Sequence, residues 1–312
     1  MGRRKSGRDI HGVVLLDKPL HLTSNAALQQ VRRFFNANRA GHTGALDPLA
    51  SGLLPLCFGE ATKVSHFALE ADKTYEVTAQ LGIRTTTSDA EGEIVSQQDV
   101  AVSQAQVEQV IAGFIGDQQQ SPSMFSALKH EGRPLYHYAR QGIEVPRKTR
   151  PISIRSIRQI DFAGDLLTLE VTCSKGTYIR TLIDDMGQEL GCGAHVAQLR
   201  RTWIQGVEGP MMSMTELADV AAKTNQDQGD YAAMDALLLP NDAVIQQIPE
   251  VWLSDPESSK FLAGNGANVA SPIPPDASHV RVRRQSDNAL LGIGRPEAGK
   301  LQPKRVMNDV PR

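Results

Sequence analysis

The sequence predicts an α+β protein: a central, mainly antiparallel mixed sheet flanked by helices, followed by a small β-rich C-terminal domain. Two stretches, Tyr75–Leu81 and Leu167–Cys173, alternate apolar and polar residues, the pattern of half-buried strands in an antiparallel sheet. Other stretches repeat apolar residues every three or four positions, as helices do. Beyond about residue 250, short strand patterns alternate with Pro/Gly turns.

The elements follow in order. Gly12–Leu16 is an apolar run closed by Asp17-Lys18-Pro19, a buried strand ending in a turn. Thr23 or Ser24 can cap a helix carrying Ala27, Leu28, Val31, Phe34 and Phe35 on one side. Gly41–Lys63 holds Gly44, Pro48, Gly52, Pro55 and Gly59, which excludes a single regular element. Ser103 and Gln106 form a capping box ahead of Val107, Val110, Ile111 and Phe114. Ile179, Leu182, Ile183, Met186 and Leu190 give a helix stopped by Gly191. Residues 118–151 are polar at the start and basic at the end, which suggests an insertion folded over a ligand. Residues 222–230 read as a linker. Val280–Arg283 and Leu290–Ile293 are short strands. The expected organisation is a flexible basic tail over 1–10, a main domain over 11–245 with its insertion, and a β domain over 250–312.

Composition narrows the function. A chain of 312 residues, 40% apolar, is long enough for a full core. Its formal net charge of −2 argues against attachment to nucleic acid by bulk positive charge. Basic residues nevertheless cluster: Arg3, Arg4, Lys5 and Arg8; Arg147, Lys148, Arg150, Arg155 and Arg158; Arg200 and Arg201; Arg281, Arg283 and Arg284. Each cluster is either solvated surface or a local phosphate contact, since screening limits each charge to roughly 10 Å. Cys57, Cys173 and Cys192 form no C-x-x-C pair, and an odd count suits no disulfide framework. Buried free thiols in a reducing compartment are expected. No run reaches the ~18 apolar residues of a membrane span. Met1–Asp9 is basic with no apolar run of adequate length behind it, so no signal peptide is expected and the location is read as cytoplasmic.

The informative segment is His42-Thr-Gly-Ala-Leu-Asp47-Pro-Leu-Ala-Ser-Gly-Leu-Leu-Pro55, continuing to Lys63. One carboxylate, Asp47, stands between Leu46 and Pro48 in an apolar, glycine-punctuated loop. Ionised and partly desolvated, and kept charged by a nearby cation, it is a candidate covalent nucleophile. A turn aspartate bonded to its own backbone is the competing reading.

This segment resembles the active-site motif of the pseudouridine synthases that act on the T arm of tRNA. The resemblance extends over about residues 11–205: Gly12–Pro19; Asp72-Lys73-Thr-Tyr75; Met124–Lys129 and Gly142–Arg147 in the insertion; Cys173–Arg180; and Gly193–Arg201. It implies the pseudouridine synthase fold, with a PUA-like C-terminal domain that the sequence matches more loosely. It implies isomerisation of the uridine at position 55 in the T loop of tRNA, with Asp47 as nucleophile. His42 would fill the space left by the flipped base. Tyr75 would stack on the uracil, Tyr178 would contact it, and Leu199 would touch the substrate. Arg180 would keep Asp47 charged. Arg147, Lys148 and Arg150 would grip phosphates. Phe125 stands where the family usually has tyrosine, which removes one hydroxyl and leaves Asp47 untouched.

Pseudouridine is an isomer of uridine, so the reaction needs no redox cofactor, metal or nucleotide triphosphate, and none is expected. The sequence carries no Walker loop, no strand-linked G-x-G-x-x-G and no Cys/His metal spacing; His130 and His137 read as surface or core residues. The expected partner is the T arm of tRNA, with no membrane and a monomeric enzyme. An RNA-folding module with catalysis secondary is the alternative. A carbohydrate hydrolase would need a second carboxyl at about 5–9.5 Å from the first; Asp89 and Glu91 are available, but no signature ties them to Asp47.

Overall fold

The computed structural model describes residues 7–126, 128–224, 229–270 and 272–310. The chain divides into two compact units. One is built from Met1–Asp47, Leu53–Ala71 and Gln205–Arg312, the other from Pro48–Gly52 and Asp72–Ile204.

The first unit opens with β1 (Gly12–Lys18), α1 (Ser24–Phe34) and β2 (Ala40–His42), and takes most of β3 (Ala50–Phe58). Val13, Val14, Leu15 and Leu16 are all buried, as a run without alternation requires of a strand covered on both faces. The turn after β1 is fixed by Lys18, fully buried, whose Nζ donates to Pro19 O at 2.8 Å and Leu22 O at 2.7 Å. Thr23, not Ser24, caps α1 by accepting from the Ala26 N–H at 3.1 Å. Ala27, Leu28 and Val31 form the buried face. Gly59 ends β3 at φ +53, where a Cβ would lie 2.2 Å from Ile10 O; a 3₁₀ turn (Gly59–Lys63) and α2 (Ser65–Leu69) follow.

The second unit comprises β4 (Lys73–Leu81), β5 (Ile83–Thr85), β6 (Ile94–Gln97), α3 (Gln104–Gly113), β7 (Gly116–Gln120), β8 (Lys129–His130), β9 (Arg133–Pro134), α4 (Leu135–Ala139), β10 (Arg150–Ala163), β11 (Leu166–Cys173), α5 (Ile179–Glu189) and β12 (Ala194–Ile204). Its sheet runs β12-β4-β11-β10-β7 with antiparallel neighbours, and Ala50–Gly52 of β3 adds parallel to β12. The sheet is therefore mixed and mainly antiparallel. Val77, Ala79 and Leu81 of β4 and Leu167, Leu169, Val171 and Cys173 of β11 are buried, as their alternation requires. The Ser103–Gln106 capping box opens α3, which packs on β10, while α5 packs on β12 and β4.

Antiparallel pairing of β7 with β10 matches Gln120 to Arg150 and Gly116 to Ile154. The expected insertion thus loses its ends to the sheet: 118–120 and 150–151 are paired strand, and the excursion proper is 121–149. It carries β8, β9 and α4.

The first unit resumes with β13 (Met212–Ser213), parallel to β1, then α6 (Met214–Lys223) and α7 (Ala232–Asp235). Of the expected linker, 225–228 lie outside the described residues. The C-terminal sheet contains β14 (Glu250–Leu253), β15 (Val280–Arg284), β16 (Leu290–Glu297) and β17 (Lys300–Val306) in that order, with α8 (Asp255–Leu262) against it. Val251, Leu253, Phe261, Val280, Val282, Leu291 and Leu301 form its own core, so the expected small β domain is present.

Two expectations about charge change. Residues 1–6 lie outside the described residues, but 7–10 are held rather than loose. Arg8 pairs with Asp235, with one contact at 3.0 Å, and lies 4.1 Å over the Tyr231 ring; Ile10 is buried. Arg281 and Arg283 form neither open surface nor a free RNA contact. Both converge on Asp242, which is 1% exposed; the Arg281 contact is 2.9 Å.

Candidate active site

The Asp47 loop is built by pairing at both ends. β2 and β3 run antiparallel, with His42 opposite Leu56, and the Thr43 N–H donates to Pro55 O at 3.2 Å. Leu46 is buried and its backbone is held twice by one hydroxyl. The Leu46 N–H donates to Ser24 Oγ at 2.7 Å, and Ser24 Oγ donates to Leu46 O at 3.0 Å. A hydroxyl can do both because it is donor and acceptor at once. On the other side, Pro48 disfavours helical backbone at Asp47. Gly52 sits at φ +99 opposite Arg201, where a Cβ would lie 2.2 Å from Arg201 O. That close approach accounts for the glycine in the motif.

Asp47 itself is exposed. The expectation of a partly desolvated carboxylate meets an exposed residue: its apolar neighbours Leu46, Ala50 and Leu53 are buried, and Asp47 is not. His42, at the end of β2, is half-buried.

In the second unit, Tyr75 on β4 lies between Val171 of β11 and Arg201 of β12; Leu199 of β12 pairs with Val77. Paired residues share a face, so Tyr75 and Leu199 are diagonal neighbours on one side of the sheet. Leu199 also pairs with Ala50, three residues after Asp47 in the chain. Tyr178 is the residue before α5 and is half-buried. Its N–H donates to Gln120 Oε1 at 2.8 Å, and Gln120 Nε2 donates to its carbonyl at 3.1 Å.

Arg180, in the first turn of α5, is 5% exposed. Its Nη1 donates to Asp89 Oδ2 at 3.2 Å and to Thr87 O at 3.3 Å; its Nη2 donates to Phe125 O at 3.0 Å. A buried guanidinium requires such compensation. Asp89, 3% exposed, is thus committed to an ion pair and a hydrogen bond from the Glu91 N–H, which removes it as the acid of a hydrolase. The Phe125 contact uses the backbone carbonyl, so tyrosine or phenylalanine there serves Arg180 equally.

Of the three basic residues assigned to phosphate, Arg147 and Lys148 are exposed, Arg147 donating to Pro122 O at 2.9 Å. Arg150 departs from that assignment. Its Cζ lies 4.5 Å over the Tyr178 ring, and its Nε and Nη2 are shielded from solvent without a hydrogen-bond partner. Two of its three nitrogens are thus shielded, which leaves Nη1 as the one open to a phosphate. Further along, Arg155 pairs with Asp72 at 2.9 Å and Arg158 with Glu170 at 3.0 Å on the surface.

Ser24, Gln120 and Asp89 were not legible as site-building residues. Ser24 reads as a helix cap, and Gln120 sits in a glutamine run whose polarity suggests loop. Only Asp89 carried a signal, as a spare carboxyl. Among the described residues no helix is long and apolar enough to cross a membrane.

Comparison with known proteins agrees with this architecture. Residues 32–179 match the TruB family pseudouridylate synthase N-terminal domain, 180–246 the tRNA pseudouridylate synthase B C-terminal domain, and 249–307 the pseudouridine synthase II TruB C-terminal domain. The chain is 51% identical over 306 residues to tRNA pseudouridine synthase B of Idiomarina loihiensis, covering 98% of this chain and 96% of that protein. It is 52% identical to the protein of that name from Shewanella denitrificans, covering 98% and 97%. Among solved structures, a Cbf5–Nop10–Gar1 complex matches with a TM-score of 0.73 at 24% identity, covering 95% of this chain and 84% of that one, a likeness of fold.

Proposed function

The chain belongs to the TruB family of pseudouridine synthases, and from that membership we propose that it acts on the uridine at position 55 in the T loop of tRNA with Asp47 as nucleophile. It is an enzyme that isomerises uridine to pseudouridine in tRNA. The observation that carries the role of Asp47 is the clasped loop: an exposed aspartate between a backbone locked by Ser24 and a proline.

The chemistry sets what the residues must do. The bond from ribose C1′ to N1 breaks, the uracil turns, and a bond from C1′ to C5 forms. The C5 proton leaves and N1 gains one, so the reaction is balanced within the nucleotide. A carboxylate serves this by stabilising positive character at C1′ or by bonding covalently to an intermediate. Because Asp47 is exposed, its desolvation falls to the nucleotide itself: the flipped base and ribose displace water as they arrive. Flipping costs a few kcal/mol. Stacking of the uracil on Tyr75 would return roughly 1–3 kcal/mol. We assign Tyr178 and Leu199 to contacts with the nucleotide and His42 to the space it leaves. We assign Arg180, held by Asp89, to keeping the carboxylate charged. Arg147 and Lys148 grip phosphates, which allows a weakly acidic protein to hold RNA by local contacts.

The cytoplasmic setting is supported by three buried free thiols. We take the active species as a monomer, which sedimentation with and without tRNA checks. The substrate assignment is tested with unmodified tRNA transcripts tritiated at uracil C5. Release of one equivalent, lost when the uridine at position 55 is replaced by cytidine, is expected. Release that persists after that replacement contradicts the assignment.

A further inference from the structure

We infer that Gln120 and Arg150, the two residues at the root of the insertion, are positioning residues for Tyr178. The inference rests on the reading above that Tyr178 contacts the target nucleotide. Gln120 and Arg150 are register partners on the last rung of β7 and β10, where the chain leaves the sheet and returns to it. Both side chains converge on the same tyrosine.

Gln120 holds its backbone. The carboxamide is 4% exposed and spans the Tyr178 N–H and carbonyl at 2.8 and 3.1 Å. A carboxamide offers a donor and an acceptor at fixed separation, which a carboxylate or an aliphatic chain does not. Arg150 holds its ring. The guanidinium stacks at 4.5 Å from the centroid, and the shielding of Nε and Nη2 without hydrogen bonds leaves the ring face as the contact that accounts for its orientation. Gly176, two residues before the tyrosine, has φ +78, and a Cβ there would sit 3.4 Å from Arg150 Nη1. The left-handed backbone favours glycine there, and the guanidinium packs against it at contact distance. The ring and the backbone of Tyr178 are thus both set by the place where the insertion joins the sheet.

The test separates positioning from phosphate binding. Single-turnover rates with saturating enzyme, and tRNA affinity against salt, are measured on the full chain for Arg150→Ala, Arg150→Lys, Gln120→Ala and Tyr178→Ala. The expected result is a rate loss of about tenfold or more for Arg150→Ala and for Gln120→Ala, with affinity and salt slope unchanged. Arg150→Lys does not restore the rate, because an ammonium has no planar face. In the Tyr178→Ala background, adding Arg150→Ala changes the rate less than about twofold, since nothing remains to position. Should Gln120→Ala fail to fold, the Arg150 variants decide alone. An unchanged rate in Arg150→Ala overturns the proposal. So does a salt slope that falls by about one, the mark of a lost phosphate contact. So does a loss that stays additive with Tyr178→Ala. An unchanged rate in Tyr178→Ala removes the tyrosine's role and this proposal together; a loss there with none in Arg150→Ala removes this proposal alone.

Discussion

Ser24 has a hydroxyl that an alanine would take away, and Leu46 has two buried backbone groups that would then lose their partner. Leaving buried polar groups unpaired costs about 1–3 kcal/mol. Ser24→Ala is therefore expected to lower stability by that amount and to lower the single-turnover rate, because the residue before Asp47 is released. Thr23→Ala is the control: it removes a helix cap worth about 1 kcal/mol but touches nothing in the Asp47 loop. Thermal melts with single-turnover rates decide, and equal rates for both variants would refute the positioning role. The thiols follow from burial alone. Burial pushes Cys57 up to about 12 and Cys173 to about 11, so both are expected to resist alkylation until the protein unfolds, and rapid labelling of the folded chain would contradict that. The identity of Asp47 was legible because a long motif surrounds it. Its exposure was not, because apolar neighbours say that a loop is anchored, and not which way its one acid points. Ser24 was illegible for a different reason: its partner lies 22 positions away.

Strands were read well where one face is buried, as Val77, Ala79 and Leu81 illustrate. The root of the insertion is legible only to within a few residues, because β7 is an edge strand and Gln118–Gln120 pairs through backbone groups that leave no trace in side-chain polarity. The basic end of the insertion divides accordingly. Arg147 and Lys148 are exposed, whereas Arg150 is turned onto Tyr178. Changing Arg147 and Lys148 together to alanine is expected to weaken tRNA binding and to lower the salt slope by about two, roughly one per phosphate contact. Filter binding across a salt series reads this directly, and an unchanged slope would show that this end of the insertion does not touch phosphate.

Across the whole molecule, the C-terminal sheet is fastened to the rest of its unit by buried charge. Arg281 and Arg283 meet on Asp242, Lys63 donates to Val306 O at 2.7 Å, and the Asn308 N–H donates to Glu60 Oε2 at 2.7 Å. Removing one partner of a buried ion pair costs about 3–5 kcal/mol, so Asp242→Ala is expected to lose stability on that scale in a denaturant titration. A loss under about 1 kcal/mol would place the pair among surface ones. The same unit carries a pH response. His66 and His279 both pack against Phe67, with ring centroids 4.0 and 5.1 Å away. Burial holds both below the ordinary 6.5, aided at His66 by Arg305 and at His279 by Lys304. The folded state therefore prefers them neutral, and stability falls as pH drops from 6.5 through their lowered values. Replacing both with glutamine is expected to flatten that part of the melting curve against pH, and an unchanged slope would contradict it. The small C-terminal domain was legible from its strand and turn pattern. The ion pairs that fasten it were not, since Arg281, Arg283 and Arg284 look in sequence like any basic surface cluster.

The most direct measurement is tritium release from a T-arm hairpin labelled at uracil C5, comparing wild type with Asp47→Asn. The amide keeps the shape of the carboxylate and loses its charge. No release, with hairpin affinity kept within about tenfold, is the predicted result. Release by Asp47→Asn at the wild-type rate would contradict it and leave the chain, at this position, a binder of RNA.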